Sequence, residues 1–199
     1  MNSRKDTRPY NMKNRAKAAA HTERRIMEAV IGLWQVLPIH EITLEAIAER
    51  AGVTVRTVLR KYGSKEGLFE ACLKQDSSKI EINRGQVQAG DVPGALRILL
   101  DDYEAYGDAN IRTLAVEEEL EMARKILEKG RQYHRQWCAR VFAPWLPEPS
   151  TGDYEKRLLA FIAATDVYLW KLLRRDLGRS PGETLETIQT LVNGLIKDC

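Results

Sequence analysis

The chain has 199 residues, 44% hydrophobic and 30% charged, with three cysteines and a net charge of +3. This balance is globular rather than disordered, and no apolar stretch reaches the roughly 20 residues that a bilayer span needs. The charge is uneven: residues 1–63 carry 12 Lys/Arg against 6 Asp/Glu and the remainder 19 against 22, so only the first third suits a polyanion partner.

Residues 1–20 hold Arg4, Lys5, Arg8, Lys13, Arg15 and Lys17 with almost no large apolar side chain. They read as a basic, flexible arm that turns helical near Lys17. From Thr22, as a candidate N-cap, Ile26, Ala29, Val30, Leu33 and Leu37 recur at helical spacing until Pro38. A second helix follows Thr43, with Leu44, Ile47, Ala48 and Ala51 on one face and Gly52 at its left-handed end. Thr54 caps a short third helix whose expected apolar face is Val55, Val58, Leu59 and Tyr62. Gly63 ends it, and Ser64 caps a fourth helix carrying Leu68, Phe69, Cys72, Leu73 and Ile80.

The body beyond also reads as helical. One helix starts near Pro93 with Leu96, Leu99, Leu100 and Tyr103. Residues 111–142 fit one helix or two, with Gly130 the weak point. Pro144, Pro147, Pro149 and Gly152 mark a loop. An apolar helix then runs from Tyr154 to about Leu177, a break spans Gly178 to Gly182, and a last helix carries Leu185, Ile188, Leu191, Val192, Leu195 and Ile196. The expected fold is all-α, with about nine helices: an arm at 1–20, a three-helix head at 21–66 and a helical body at 67–199.

Ala48, Gly52 and Val58 carry the functional signal. Two steeply crossing helices need a small residue at their contact, a turn residue that tolerates positive φ, and a branched apolar anchor on the second helix. These three residues, at spacings of four and six, meet that need, as a helix-turn-helix does. Any helical hairpin with a glycine turn would share the spacing. The third helix adds Thr54, Arg56, Thr57, Arg60 and Lys61 as outward donors, and no acid occurs from Arg50 to Ser64. A solvated surface helix ordinarily mixes both signs.

The stretches Ile42–Thr54 and Thr57–Phe69 resemble the DNA-binding domain of the tetracycline-repressor (TetR) family, over residues 22–73. The resemblance implies that residues 42–51 form the second helix and 54–62 the recognition helix, with Thr43 and Lys65 on phosphates at helix N-termini. The candidate DNA-contacting residues are Thr43, Thr54, Val55, Arg56, Thr57, Arg60, Lys61, Tyr62 and Lys65. Family members often have Tyr where Leu59 stands and His or Tyr where Lys61 stands; Leu59 lacks the hydroxyl of the usual tyrosine–phosphate contact, and Lys61 is the candidate replacement charge. The arm before Thr22 is either a minor-groove reader, as in homeodomains, or a leader.

In the body, the helix after Tyr154 is apolar on more than one side, with Leu158, Leu159, Phe161, Ile162, Val167, Leu169, Trp170, Leu172 and Leu173. The resemblance implies that it and the last helix form a four-helix homodimer interface. Leu158, Ile162, Leu169, Leu173, Ile188, Leu191, Val192 and Leu195 are its candidates, with a wholly intramolecular core as the other reading. Tyr103, Tyr106, Met122, Tyr133, His134, Trp137, Phe161 and Trp170 are candidates for an apolar effector pocket; each is also ordinary core material.

Other classes fit less well. No metalloprotease HExxH, dinucleotide GxGxxG or Walker loop occurs, and the acids Glu117, Glu118 and Glu119 read as a solvated face. Cys72, Cys138 and Cys199 lie far apart and outside any Cys/His cluster, so neither a zinc site nor another cofactor is expected. The N-terminus lacks the apolar run of a signal peptide, which points to the cytoplasm. A helical adaptor would account for the apolar helices but not for the acid-free segment. The expected role is a DNA-binding regulator, by family default a repressor, which binds a palindromic operator in duplex DNA as a homodimer, is released by a small apolar or aromatic effector bound in the C-terminal body and has no membrane association.

Overall fold

The computed structural model describes residues 12–197, without the side chains of residues 12–14, 73 and 75–83. Arg4, Lys5, Arg8 and Cys199 lie outside that description, as do the side chains of Lys13, Leu73 and Ile80. The described residues form nine α-helices: α1 Met12–Trp34, α2 Leu44–Ala51, α3 Val55–Tyr62, α4 Lys65–Gly85, α5 Val92–Leu114, α6 Glu121–Val141, α7 Gly152–Ala164, α8 Val167–Lys171 and α9 Pro181–Lys197. A π-helical turn, Leu172–Asp176, extends α8.

Two apolar cores organise the chain. The first joins Ile26, Met27 and Val30 of α1, Ile39 and Ile42 of the following loop, Ile47, Ala48 and Ala51 of α2, Val58 of α3, and Leu68, Phe69 and Cys72 of α4. Ala123 and Ile126 of α6 close it from the body side. The second contains Leu96, Leu99 and Tyr103 of α5, Trp137, Cys138 and Val141 of α6, Leu158 and Phe161 of α7, Trp170 of α8, and Ile188 and Val192 of α9. Within it Phe142 and Phe161 stack with centroids 4.2 Å apart. The two cores are fastened where α1 ends: Arg112 donates to the carbonyls of Trp34 (3.2 Å) and Gln35 (2.7 Å), and Trp34 Nε1 donates to Thr113 Oγ1 at 2.9 Å.

Four local expectations are corrected. Residues 12–20 belong to α1 rather than to an arm; their alanines, lysines and arginine are strong helix formers, and they extend a helix already nucleated by the packed residues Ile26 to Val30. Thr22 is therefore internal to α1, and its hydroxyl donates back to Ala18 O at 2.9 Å instead of capping. The break after α5 falls at residues 115–120, not at Gly130, which lies inside the unbroken α6. Val116 and Leu120 turn in to pack on the head core, a gain that outweighs the ~1 kcal/mol cost of one helical glycine. The segment from Tyr154 to Leu177 is two helices. Thr165 and Asp166 divide it: Tyr103 Oη donates to Thr165 O at 2.9 Å, and Asp166 Oδ1 accepts from Tyr168 N at 2.9 Å as the N-cap of α8.

His134 sits beside this break. Its Nε2 lies 3.1 Å from Thr165 Oγ1, and the ring stacks on Trp137 at 5.6 Å. Burial, and secondarily the nearby Arg84 cation, push its pKa down to about 4 from the usual 6.5. The folded state thus holds the neutral ring while the unfolded chain takes up a proton below pH 6.5. Stability is complete above 6.5 and falls as the pH drops toward 4. Lowering the pH from 7 to 5 is expected to cost the wild type about 2 kcal/mol more than a His134→Gln variant. Urea midpoints at the two pH values measure this, and equal losses in both proteins would contradict it.

Candidate nucleic-acid interface

The head is assembled from short helices with strong local punctuation. Thr43 Oγ1 accepts from Ala46 N at 3.1 Å, fixing the start of α2. Gly52 ends α2 at φ 62°, a conformation that costs other residues steric strain. Thr54 Oγ1 accepts from Thr57 N at 3.2 Å and starts α3. Ser64 Oγ accepts from Gly67 N at 3.0 Å and starts α4. Each cap satisfies a backbone N–H that would otherwise lack a partner.

Val58, with 0% exposure, anchors α3 to the head core. Val55 and Tyr62 pack beside it. The opposite side carries Arg56 and Arg60, one helical turn apart and both exposed, with Thr57 half-buried next to them. Among the described residues neither arginine forms an ion pair. Two unneutralised guanidinium groups project from one face of a helix whose other face is bolted to the core.

The remaining candidates divide. Thr43 and Thr54 are exposed at the N-termini of α2 and α3. Lys65 is half-buried in the first turn of α4, and that burial holds its pKa below the ordinary lysine value. Lys61 turns away from the arginine face and pairs with Glu23 of α1 at 2.8 Å. Tyr62 faces inward: its Oη is buried without a hydrogen-bond partner, and burial raises its pKa to about 12. Leu59 corrects the sequence-based face assignment, since it is 38% exposed and stands on the arginine side. Its spacing, three after Arg56 and one before Arg60, placed it at the border of the two faces.

Gly67 has a packing reason for its identity. A Cβ there would stand 2.3 Å from the Tyr62 carbonyl oxygen, so the start of α4 lies directly against the end of α3. The obstacle is backbone and cannot swing aside. Gly67→Ala is expected to destabilise the protein by about 1–3 kcal/mol and to weaken DNA binding, since α3 must shift. Thermal unfolding checks the first effect; an unchanged melting temperature would contradict it.

In the body, Tyr103, His134, Trp137, Phe161 and Trp170 are buried together in the second core, with Tyr133 half-buried at its edge. Tyr106 instead stacks on Trp34 at 6.2 Å, at the head–body joint. Met122 packs on the head core and lines a cleft of about 830 Å³ with Lys65, Glu66, Glu70, Lys125 and Arg131. Of the aromatic and sulfur-bearing candidates, that cleft receives Met122 alone. Glu104 and Asp108 of α5 hold the π-turn: Glu104 accepts from Trp170 Nε1 at 2.8 Å and from Arg174, and Asp108 from Arg175 at 2.7 Å. These arginines keep both carboxyl groups below the ordinary carboxylate range. Glu117 pairs with Arg131.

The candidate interface residues also divide. Leu158, Leu173, Ile188 and Val192 face the chain's own core, because a helix apolar on two sides does not reveal which side its own chain covers. Leu191 is 45% exposed, and Ile162, Leu169 and Leu195 are half-buried. Leu159, Tyr168, Leu172 and Leu177 add exposed apolar surface on α7, α8 and the turn after it. Among the described residues no group of three or more His, Cys, Asp or Glu is placed to hold a metal, and no helix is long and apolar enough to cross a membrane.

Comparison with known proteins agrees with this geometry. Residues 26–72 match the model of the bacterial regulatory proteins of the tetR family. Over 66 residues the chain is 38% identical to the HTH-type transcriptional regulator YvkB of Bacillus subtilis; the match spans 33% of this chain and 33% of that relative. The fold resembles a TetR-family transcriptional regulator from Streptomyces coelicolor, with a TM-score of 0.70 and 20% identity over 90% of this chain and 96% of that one. It also resembles a transcriptional regulator from Rhodococcus sp. Rha1, with a TM-score of 0.69 and 16% identity over 88% and 96% of the two chains. Residues 26–72 thus form a head of the type found in bacterial regulatory proteins of the tetR family, and the fold as a whole is similar to that of TetR-family regulators.

Proposed function

We propose that the protein is a homodimeric transcriptional repressor that binds a palindromic operator and releases it when a small molecule enters the body. The observation that carries this reading is the face of α3: Arg56 and Arg60 are exposed and unpaired, on a helix anchored by Val58 and started by Thr54. Arginine reads guanine O6 and N7 bidentately, and an apolar group such as exposed Leu59 suits a thymine methyl. Thr43, Thr54 and Lys65, each at a helix start, suit phosphate oxygens, where the backbone N–H groups add their own attraction. Val55 and Tyr62 support the helix from beneath. Lys61 is available to phosphate only by giving up Glu23, an exposed pair worth little.

A palindrome requires two heads about 34–36 Å apart, hence a two-fold dimer. Leu159, Ile162, Tyr168, Leu169, Leu172, Leu191 and Leu195 supply apolar surface on α7, α8, the π-helical turn and α9 that the chain itself leaves partly open. Arg15, Lys17 and the exposed residues around them on the extended α1 suit DNA flanking the operator.

The test is fluorescence anisotropy of the full chain on duplex DNA from upstream of its own gene and on a scrambled duplex, over a salt series. The expected result is preference for the upstream duplex by about 10³-fold or more, with affinity falling linearly in log salt. Equal affinity for the two duplexes would refute sequence-specific regulation at that site. Sedimentation at micromolar concentration is expected to give a dimer, and a monomer would remove the proposed interface.

A further inference from the structure

The second core holds a cation that belongs to the protein. Arg84, near the end of α4, is 6% exposed. Its Nε donates to Asp102 Oδ2 at 2.5 Å. Three rings surround the guanidinium: its carbon lies 5.9 Å from the Tyr103 centroid, 5.9 Å from Tyr133 and 5.5 Å from Trp137. A carboxylate at one side and aromatic rings on the others is the arrangement by which proteins recognise quaternary ammonium and related organic cations. Here an arginine side chain fills it.

Three further observations bear on this cage. The ring distances lie at the outer edge of the ~6 Å range for cation–π attraction, so each ring holds the guanidinium less firmly than a face-on stack would. Trp137 Nε1 is buried without a hydrogen-bond partner, a polar group of the cage wall left unsatisfied in this state. The backbone of the last turn of α4 is secured independently of the Arg84 side chain, because Arg140 donates to Arg84 O at 2.6 Å and Val87 O at 2.5 Å. The side chain can therefore leave without freeing the end of the helix.

We propose that Arg84 is a tethered occupant of the effector site, and that the effector is an organic cation that displaces its guanidinium from between Tyr103, Tyr133 and Trp137, against Asp102. This rests on the regulator reading above and names the ligand class for it. Expelling Arg84 breaks the ion pair that ties α4 to Asp102 of α5 while Arg140 still holds its end to α6, so α4 can pivot about that end, and it begins at Lys65 against the recognition helix. The bound cation thereby biases the position of the head, a shift between two arrangements set by the ligand's preference for one of them. An uncharged aromatic ligand would leave half-buried Asp102 without its cation and is disfavoured by the cost of an unpaired, partly desolvated carboxylate.

Isothermal calorimetry of the full chain without DNA tests this, with tetramethylammonium chloride as probe and sodium chloride as control. The wild type is expected to bind the probe at one site per chain. Arg84→Met removes the competitor and is expected to bind about tenfold tighter or more. Tyr133→Leu removes the half-buried ring and is expected to bind about tenfold weaker, one cation–π contact. If Arg84→Met fails to fold, the comparison of wild type with Tyr133→Leu decides alone. No saturable binding to the wild type, or an unchanged affinity in Tyr133→Leu, overturns the proposal. Cation binding that is intact but leaves operator affinity unaltered would strike at the regulator reading instead.

Discussion

Trp170→Ala is expected to lower the stability of the protein by about 3–5 kcal/mol, as the loss of a fully buried tryptophan does. Trp170 has 0% exposure. Its ring lies so close to α5 that a Cβ on Gly107 would come 2.4 Å from it. No neighbouring side chain can fill the space that the indole leaves, because Gly107 has none and the flanking groups are held by charge. Glu104 keeps both hydrogen bonds from Arg174, at 2.7 and 2.9 Å, after the indole N–H is gone. Arg175 keeps Asp108 and loses only the ring face 4.6 Å beneath it. The cost is therefore a cavity rather than an orphaned charge. In a chain of this size the melting temperature should fall by on the order of 10 °C. Leu172→Ala, two residues on and 44% exposed, should stay within ~0.5 kcal/mol in the monomer. Similar melting temperatures for Trp170→Ala and the wild type would contradict this account of the core.

The head was legible because its signals are local. Thr43, Gly52, Thr54 and Ser64 act on backbone groups within a few residues, and that chemistry can be read from spacing alone. The body was less legible because its breaks are made from a distance. The division at Thr165 depends on Tyr103, 62 positions away in sequence, and the turn before α6 depends on a head core that includes Ile26 and Phe69. Sequence marks that two faces of α7 are apolar, but only packing decides that Leu158 is inside and Leu159 outside. Lys61 follows the same rule, since its partner Glu23 lies on another helix. The aromatic candidates of the body separated for a related reason: helical spacing places Tyr106 and Tyr103 almost one turn apart on α5, yet Tyr103 enters the body core while Tyr106 stacks on Trp34 at the head–body joint.

The regulator reading depends on what Arg56 and Arg60 do. Both are exposed and lack a carboxylate partner among the described residues, so replacing them should leave the fold unstrained, with stability within ~0.5 kcal/mol of wild type. Their loss should appear in DNA binding. An arginine that grips a guanine edge accounts for about 1–3 kcal/mol of discrimination, or about 5- to 150-fold in affinity. A phosphate contact behaves differently: its removal weakens binding to every duplex alike and lowers the salt slope by about one unit. Lys65→Ala, at the start of α4, should show that second pattern.

The deciding measurement is the affinity of Arg56→Ala and Arg60→Ala for the upstream duplex and for a scrambled duplex, at fixed salt, with folding checked by thermal unfolding. The account predicts intact folding, an operator affinity reduced about 5- to 150-fold in at least one variant, and a much smaller change on scrambled DNA. Wild-type operator affinity in both folded variants would show that this face of α3 does not read DNA.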